Sequence, residues 1–123
     1  MADPRHLLGR QGEEMAAAWL SARGWTILVR RWRSAVGELD FVALDPSGAL
    51  VAVEVKLRRG ARAGGPLESI DRRRLLRLRA ALGQFAATVG RSRGVGLRID
   101  LVAISLAPEG HWRLTHHDAI DAW

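Results

Sequence analysis

The stretch Gly37-Glu38-Leu39-Asp40-Phe41-Val42-Ala43-Leu44-Asp45-Pro46-Ser47-Gly48-Ala49-Leu50-Val51-Ala52-Val53-Glu54-Val55-Lys56 reads as two strands joined by a tight turn. Pro46 and Ser47 suit a type I turn, and Gly48 supplies the left-handed residue of a three-residue hairpin loop with a bulge. That register sets Asp45 opposite Ala49, Asp40 opposite Glu54 and Glu38 opposite Lys56. A five-residue loop gives the same pairing, whereas a four-residue loop puts Asp40 and Glu54 on opposite faces. In the preferred register Leu39, Phe41 and Ala43 join Val51, Val53, Val55 and Leu57 as one apolar face against the core. The acids and Lys56 share the other face.

Directly opposed side chains have Cβ atoms roughly 4.5–5.5 Å apart, so Asp40 and Glu54 are like charges held side by side, which is destabilising. A shared proton, an Arg between them or a divalent cation would offset the repulsion. Two carboxylates, water and a backbone carbonyl make a hard oxygen donor set that suits Mg²⁺. Lys56, next along the face, could then orient or deprotonate a water on the metal, or stabilise charge developing on a phosphate. The competing reading is electrostatic: Lys56 with Glu38, and an Arg with the two acids.

Lys56 stands out for a second reason. The chain has 19 Lys plus Arg, and Lys56 is the single lysine. Lys is a compact ammonium whose pKa can be moved, whereas Arg is a planar fork that stays charged. A lone Lys two residues from a Glu in an apolar strand suggests a site that needs an amine, or a strand Lys paired with an acid.

Outward from the hairpin, residues 8 to 23 read as a helix with Leu8, Gly12, Met15, Ala16, Trp19 and Leu20 on one stripe, ended by Gly24. Glu13 lies beside that stripe and Glu14 nearly opposite. Trp25 to Val29 is a first strand. Residues 58 to 65 form a basic Gly-rich loop without the Gly-Lys-Ser/Thr ending of a phosphate-binding loop. Pro66 suits a short helical piece. Asp71 is placed to cap a second helix running to about Val89, with Leu75, Leu78, Leu82, Phe85 and Val89 buried and Arg72, Arg73, Arg74, Arg77 and Arg79 crowding its first turns. Leu97 to Leu106 is a further strand, His111 to Thr115 a short one, and Asp118 to Trp123 a terminal turn or helix. The order predicts an α/β fold with a three-strand meander and a later strand reached by a helical crossover.

Length favours one domain, 1–123, with a core of about 9–106 and an extension over 107–123. There is no Cys, so neither disulfides nor thiolate metal sites. No apolar run reaches membrane-spanning length and the N-terminus lacks a signal-type stretch, so the expected location is cytoplasmic, without a membrane partner. A net charge of +6 favours a polyanionic partner, above all nucleic acid. His111, His116 and His117 lack the helical spacing of a zinc site. Trp19 and Trp25 read as core, and Trp32, between Arg31 and Arg33, as rim packing or a base-stacking surface.

The series Gly12-Glu13, Gly37-Glu38-Leu39-Asp40, Glu54-Val55-Lys56 and Arg98-Ile99-Asp100 resembles the PD-(D/E)XK nuclease superfamily, with its restriction-endonuclease-like core, and within it the YraN-like family of small bacterial proteins. The resemblance covers about Gly9 to Leu106. It implies an αβββαβ core with a mixed sheet of four to five strands flanked by helices. It also implies metal-dependent hydrolysis of DNA phosphodiesters by an activated water, with Mg²⁺ or Mn²⁺ as cofactor. Asp40 and Glu54 would be the metal-binding acids, the Val55 carbonyl a further ligand, Lys56 the catalytic lysine and Glu13 the acid of the first helix. Leu39 stands where the superfamily's name has Pro. Some branches add a Lys or Gln on the following helix, where Arg73, Arg74 or Arg77 are nearest. Arg30, Arg31, Arg33, Arg58, Arg59 and Arg62 are expected to contact phosphates, largely without reading sequence. The alternative is a non-catalytic module that binds nucleic acid or docks on repair or processing proteins. Cutting both strands would favour a homodimer.

Overall fold

The computed structural model describes residues 4–59, 70–91 and 96–123. The hairpin forms as its turn chemistry requires. Gly48 takes φ +88°, its N–H donates to the Asp45 carbonyl at 2.9 Å, and the Asp45 N–H donates to the Ala49 carbonyl at 3.0 Å. The Asp45 carboxylate tightens the loop by accepting from the Ser47 and Ala49 N–H groups at 2.9 and 3.0 Å. Strands β2 (Gly37–Leu44) and β3 (Leu50–Arg59) therefore pair antiparallel, from Leu44 opposite Leu50 to Phe41 opposite Val53.

Around this hairpin the chain builds a five-stranded sheet in the order β1-β2-β3-β4-β5. Helix α1 (Pro4–Ser21) ends at Gly24, φ +89°, with the Trp25 N–H donating to the Leu20 carbonyl. Strand β1 (Thr26–Ser34) pairs antiparallel with β2. Helix α2 (Arg72–Thr88) carries the chain across to β4 (Leu97–Leu106), which runs parallel to β3, and β5 (Trp112–Ala122) closes the edge antiparallel to β4. This is the mixed α/β architecture expected from the element order, with a helix on each face.

Those two helices bury both faces of the sheet. Ala16 and Leu20 of α1 pack with Phe41, Ala43, Val51, Val53, Val102 and Ile104. Leu78, Leu82 and Phe85 of α2 pack with Leu39, Val42, Leu50, Ala52, Leu97 and Ile99. The face assigned to the acids is thus roofed by α2 rather than open to water. Leu39 also leaves the side predicted for it: it lies under α2, while Phe41 lies under α1. The strict alternation breaks between them, at Asp40.

Three further expectations are corrected. Strand β1 runs on to Ser34, so Arg30, Arg31 and Arg33 belong to an edge strand. Asp118 to Trp123 is neither turn nor helix, because β5 extends to Ala122 by pairing with β4 through an irregularity opposite Ile99 and Leu101, where Ala119 has φ 51°. Val89 follows α2 as its C-cap and is 49% exposed, because the helix ends before the stripe completes another turn. The loop bearing Arg62 and the helical piece expected at Pro66 lie outside the described residues, as does the Arg59 side chain.

Candidate active site

The β2–β3 ladder stops one residue short of the acids. In its register Val55 faces Leu39, yet the Val55 N–H donates to Asp40 Oδ2 at 2.8 Å instead. The partner strand bends at the same level. Arg31, which falls opposite Asp40, has φ 54°, a left-handed conformation uncommon for a non-glycine residue. The kink turns Trp32 and Leu39 together towards α2, where Trp32 meets Phe85 edge-to-face at 5.6 Å between ring centroids. Trp32 is therefore packing, not a free stacking surface.

Asp40 and Glu54 meet in this opening. Their carboxyls are hydrogen-bonded to each other, and the Asp40 carboxyl is pushed up to about 8: burial is the largest cause, followed by the bond to Glu54 and its charge, against the Val55 N–H and the Arg74 charge. Burial beside Glu54 thus favours the protonated form of Asp40.

Glu54 is almost wholly buried and is held from above by α2: Arg74 Nε and Nη2 both donate to Glu54 Oε2, at 3.0 and 2.7 Å. Among the three arginines considered on this helix, the geometry selects Arg74. The signal was in the sequence: Arg74 lies one turn before Leu78 and prolongs the buried stripe. Asp71 sets the start of that turn by accepting the Arg74 N–H at 2.7 Å.

Glu13 approaches from the other face. Gly12 packs α1 against the sheet, where even a Cβ would make only ordinary contact, 3.7 Å from Val55 Cγ1 and Leu57 Cβ. The next residue reaches the margin of the opening, where burial raises the Glu13 pKa, its bond from Arg31 Nε (2.9 Å) opposes the rise, and the Asp40 charge adds to it. Glu13 is thus an electrostatic neighbour of Asp40 that is bonded to Arg31. Glu14 faces solvent and pairs with Arg30.

Lys56 is half-buried on β3, and among the described residues nothing pairs with its ammonium. Glu38, the partner offered by the electrostatic reading, instead lies 3.7 Å from Arg33. Arg30, Arg31 and Arg33 are therefore all engaged by acids. Arg58 continues β3 beyond Lys56 and also has interactions of its own.

The donor chemistry fits a hard divalent cation. Asp40 Oδ2 takes the Val55 N–H and Glu54 Oε2 takes Arg74, and neither contact uses Asp40 Oδ1 or Glu54 Oε1. The Val55 carbonyl points to the same side of its strand as the Val55 N–H, towards Asp40. Among the described residues no group of three or more His, Cys, Asp or Glu side chains is placed to hold a metal ion.

A second buried polar cluster lies beyond the hairpin turn. Asp100 is fully buried and accepts from Arg98 Nε (2.8 Å) and Nη2 (3.2 Å), from the Ala119 N–H (2.9 Å), and bonds His116 Nε2 (2.8 Å). Arg98 also donates to Asp45 at 2.8 Å. Asp100 is thus paired with Arg98, and its tie to His116 was not legible because the strand predicted at His111 to Thr115 stopped short of that residue, whereas β5 runs on to Ala122.

The model of the family described as Uncharacterised protein family UPF0102 matches residues 12–104. The chain belongs to this family. A UPF0102 protein of Acidothermus cellulolyticus is 48% identical over 112 residues, 84% of each chain. One of Pelotomaculum thermopropionicum is 41% identical over 117 residues, 95% of this chain and 96% of the relative. A third, of Desulforamulus reducens, is 36% identical over 110 residues, 89% and 90% of the two chains. The UPF0102 match begins at Gly12, so it spans Glu13, Asp40, Glu54, Lys56 and Arg74 and ends before β5. Among the described residues no helix is long and apolar enough to cross a membrane.

Proposed function

We propose that this UPF0102 domain is a metal-dependent nuclease that hydrolyses DNA phosphodiesters, recognising the shape of its substrate rather than its sequence. The observation that carries this reading is the meeting of Asp40 and Glu54 in the opening of the β2–β3 ladder, two carboxylates kept side by side at the cost of protonating Asp40. A cation replacing that proton removes the repulsion, so the same geometry that destabilises the empty pair favours binding.

Asp40, Glu54 and the Val55 carbonyl would hold Mg²⁺ or Mn²⁺, and Arg74 fixes the Glu54 carboxylate by gripping one oxygen. When bound, the ion supplies an activated water and offsets negative charge on the phosphate. Lys56, two residues further along β3 than Glu54, would orient such a water, deprotonate it when present as the neutral amine, or as the ammonium stabilise the phosphate as charge builds on it. Glu13 raises the negative potential at the site from the α1 side. Arg58 and Arg59 follow Lys56 towards the strand end, where they would meet the backbone of the substrate. Arg30, Arg31 and Arg33 could do so only by giving up their acids.

The test is a cleavage screen over nicked, branched, single-stranded and duplex DNA with Mg²⁺ or Mn²⁺. The wild type is expected to cut at least one of them, with Glu54→Gln inactive. No cleavage of any substrate with either metal rejects the enzyme reading.

One observation favours a second reading, a nucleic-acid-binding or repair-complex docking module without catalysis. Arg74 already neutralises Glu54 with two hydrogen bonds. Titration with Mg²⁺ or Mn²⁺ separates the two: no heat at millimolar metal, with DNA affinity retained, supports the docking module.

A further inference from the structure

Helix α2 turns one face to the core and to Glu54, and leaves the opposite one unexplained. Arg73, Leu76, Arg77 and Ala80 fall at i, i+3, i+4 and i+7, the spacing of a single helical face. With Arg72 and Val36 they line a shallow groove of about 540 Å³. Val36 comes from the turn between β1 and β2, and the Gly37 beside it lies against the helix, within ordinary contact of the Arg77 carbonyl. Leu76 and Val36 are 54% and 38% exposed and line the same groove, so two large apolar side chains meet water together there.

The charge on this groove distinguishes it from the β1 edge. The arginines of β1 are held by Glu13, Glu14 and Glu38, Arg79 by Asp121 and Arg98 by Asp45 and Asp100. Among the described residues no acid pairs with Arg72, Arg73 or Arg77. Three guanidiniums without counter-charges repel one another across an apolar floor, an arrangement that an anionic strand relieves. Arg74, which grips Glu54, belongs to the same helix but turns towards the core, and it is not among the residues that line the groove.

We infer that this groove, rather than the β1 edge, is the docking surface for a nucleic-acid strand. Phosphates lie on Arg72, Arg73 and Arg77, and Leu76 and Val36 cover sugar or base faces. The inference takes from the proposed function only that the partner is nucleic acid, and it holds whether or not the strand is cut. Its basis is charge complementarity on an exposed apolar floor. A second copy of the chain or an anionic lipid surface is the competing occupant.

The experiment is fluorescence anisotropy with labelled oligonucleotides, single-stranded and duplex, in EDTA so that no cleavage enters. The full-length wild type is compared with Arg73→Gln/Arg77→Gln, with Leu76→Ser, and with Arg23→Gln/Arg91→Gln, which removes the same charge elsewhere. Far-UV circular dichroism and melting confirm that each variant folds. The groove variant is expected to lose about tenfold or more in affinity and to lower the slope of log K against log salt by about 1.5–2. Leu76→Ser is expected to weaken binding with the slope unchanged, and the charge-matched control to stay within about twofold of wild type. Equal losses in both arginine variants would overturn the inference, since net charge alone would then explain binding. Absence of nucleic-acid binding by the wild type at low salt overturns it too, as does a Leu76→Ser effect confined to sedimentation or to phosphatidylserine-vesicle binding. Binding through the groove with no cleavage of any substrate upholds this inference while removing the nuclease reading.

Discussion

The Val55 N–H donates to Asp40 Oδ2 at 2.8 Å, taking the place of the next rung of the β2–β3 ladder. One hydrogen bond thus ends the strand pairing and orients a carboxyl group towards Glu54. Because a charged acceptor strengthens such a bond, a cation at the pair and the local backbone geometry support each other.

Asp40 should make stability depend on pH. Its folded pKa, about 8, lies well above the ordinary carboxylate range, so the protonated form is favoured by folding. The resulting stability is complete below the ordinary carboxylate range, falls as pH rises from there to about 8, and is level beyond. Thermal melts in EDTA should show Asp40→Asn gaining on the wild type over that window, by at most about 1.4 kcal/mol per pH unit. A constant difference from pH 4 to pH 9 is the contrary result. Added Mg²⁺ should raise the wild-type melting temperature more at pH 8 than at pH 6, since a proton must leave, and should not raise that of Asp40→Asn.

Lys56→Ala should lower any cleavage rate at least about 100-fold. Its melting temperature should stay near that of the wild type, because no ion pair among the described residues is lost. Lys56→Arg should not restore the rate, since a guanidinium neither gives up a proton nor fits a point-charge position. Single-turnover cleavage with saturating enzyme makes the measurement.

Arg74→Ala should destabilise the fold by about 2–4 kcal/mol, because Glu54 is left buried without its cation. Glu54→Gln should recover part of that loss in the Arg74→Ala background. A double-mutant cycle by urea unfolding measures the coupling. Additivity of the two changes is the outcome that speaks against a direct pair.

Arg98→Ala should cost about 3–5 kcal/mol, since Asp100 is wholly enclosed and retains only His116 and the Ala119 N–H. The same variant should soften acid resistance. Burial pushes the Asp45 carboxyl up, but its bonds from Ser47, Ala49 and Arg98 outweigh this and hold it down at about 2. Its contribution is present above the ordinary carboxylate range and lost as pH falls towards 2, and part of it goes with Arg98. Acid titration followed by circular dichroism checks the shift of the midpoint.

The sequence by itself determined that Asp40 meets Glu54. The turn Pro46-Ser47-Gly48 sets the hairpin register through local dihedral preferences, and that register holds as far as Phe41 opposite Val53, which leaves the acids one residue further on at the same level. The Asp71 cap, the Gly24 helix end and the β4 strand were legible for the same reason: each depends on neighbours a few residues away. Only the tertiary structure decided that Arg74 holds Glu54, that Arg31 kinks opposite Asp40, that β5 extends to tie His116 to Asp100, and that Arg72, Arg73 and Arg77 lack acid partners among the described residues. These depend on where a crossover helix and an edge strand land against the sheet. That placement is set by burying two apolar faces at once, a condition that no short stretch of residues contains.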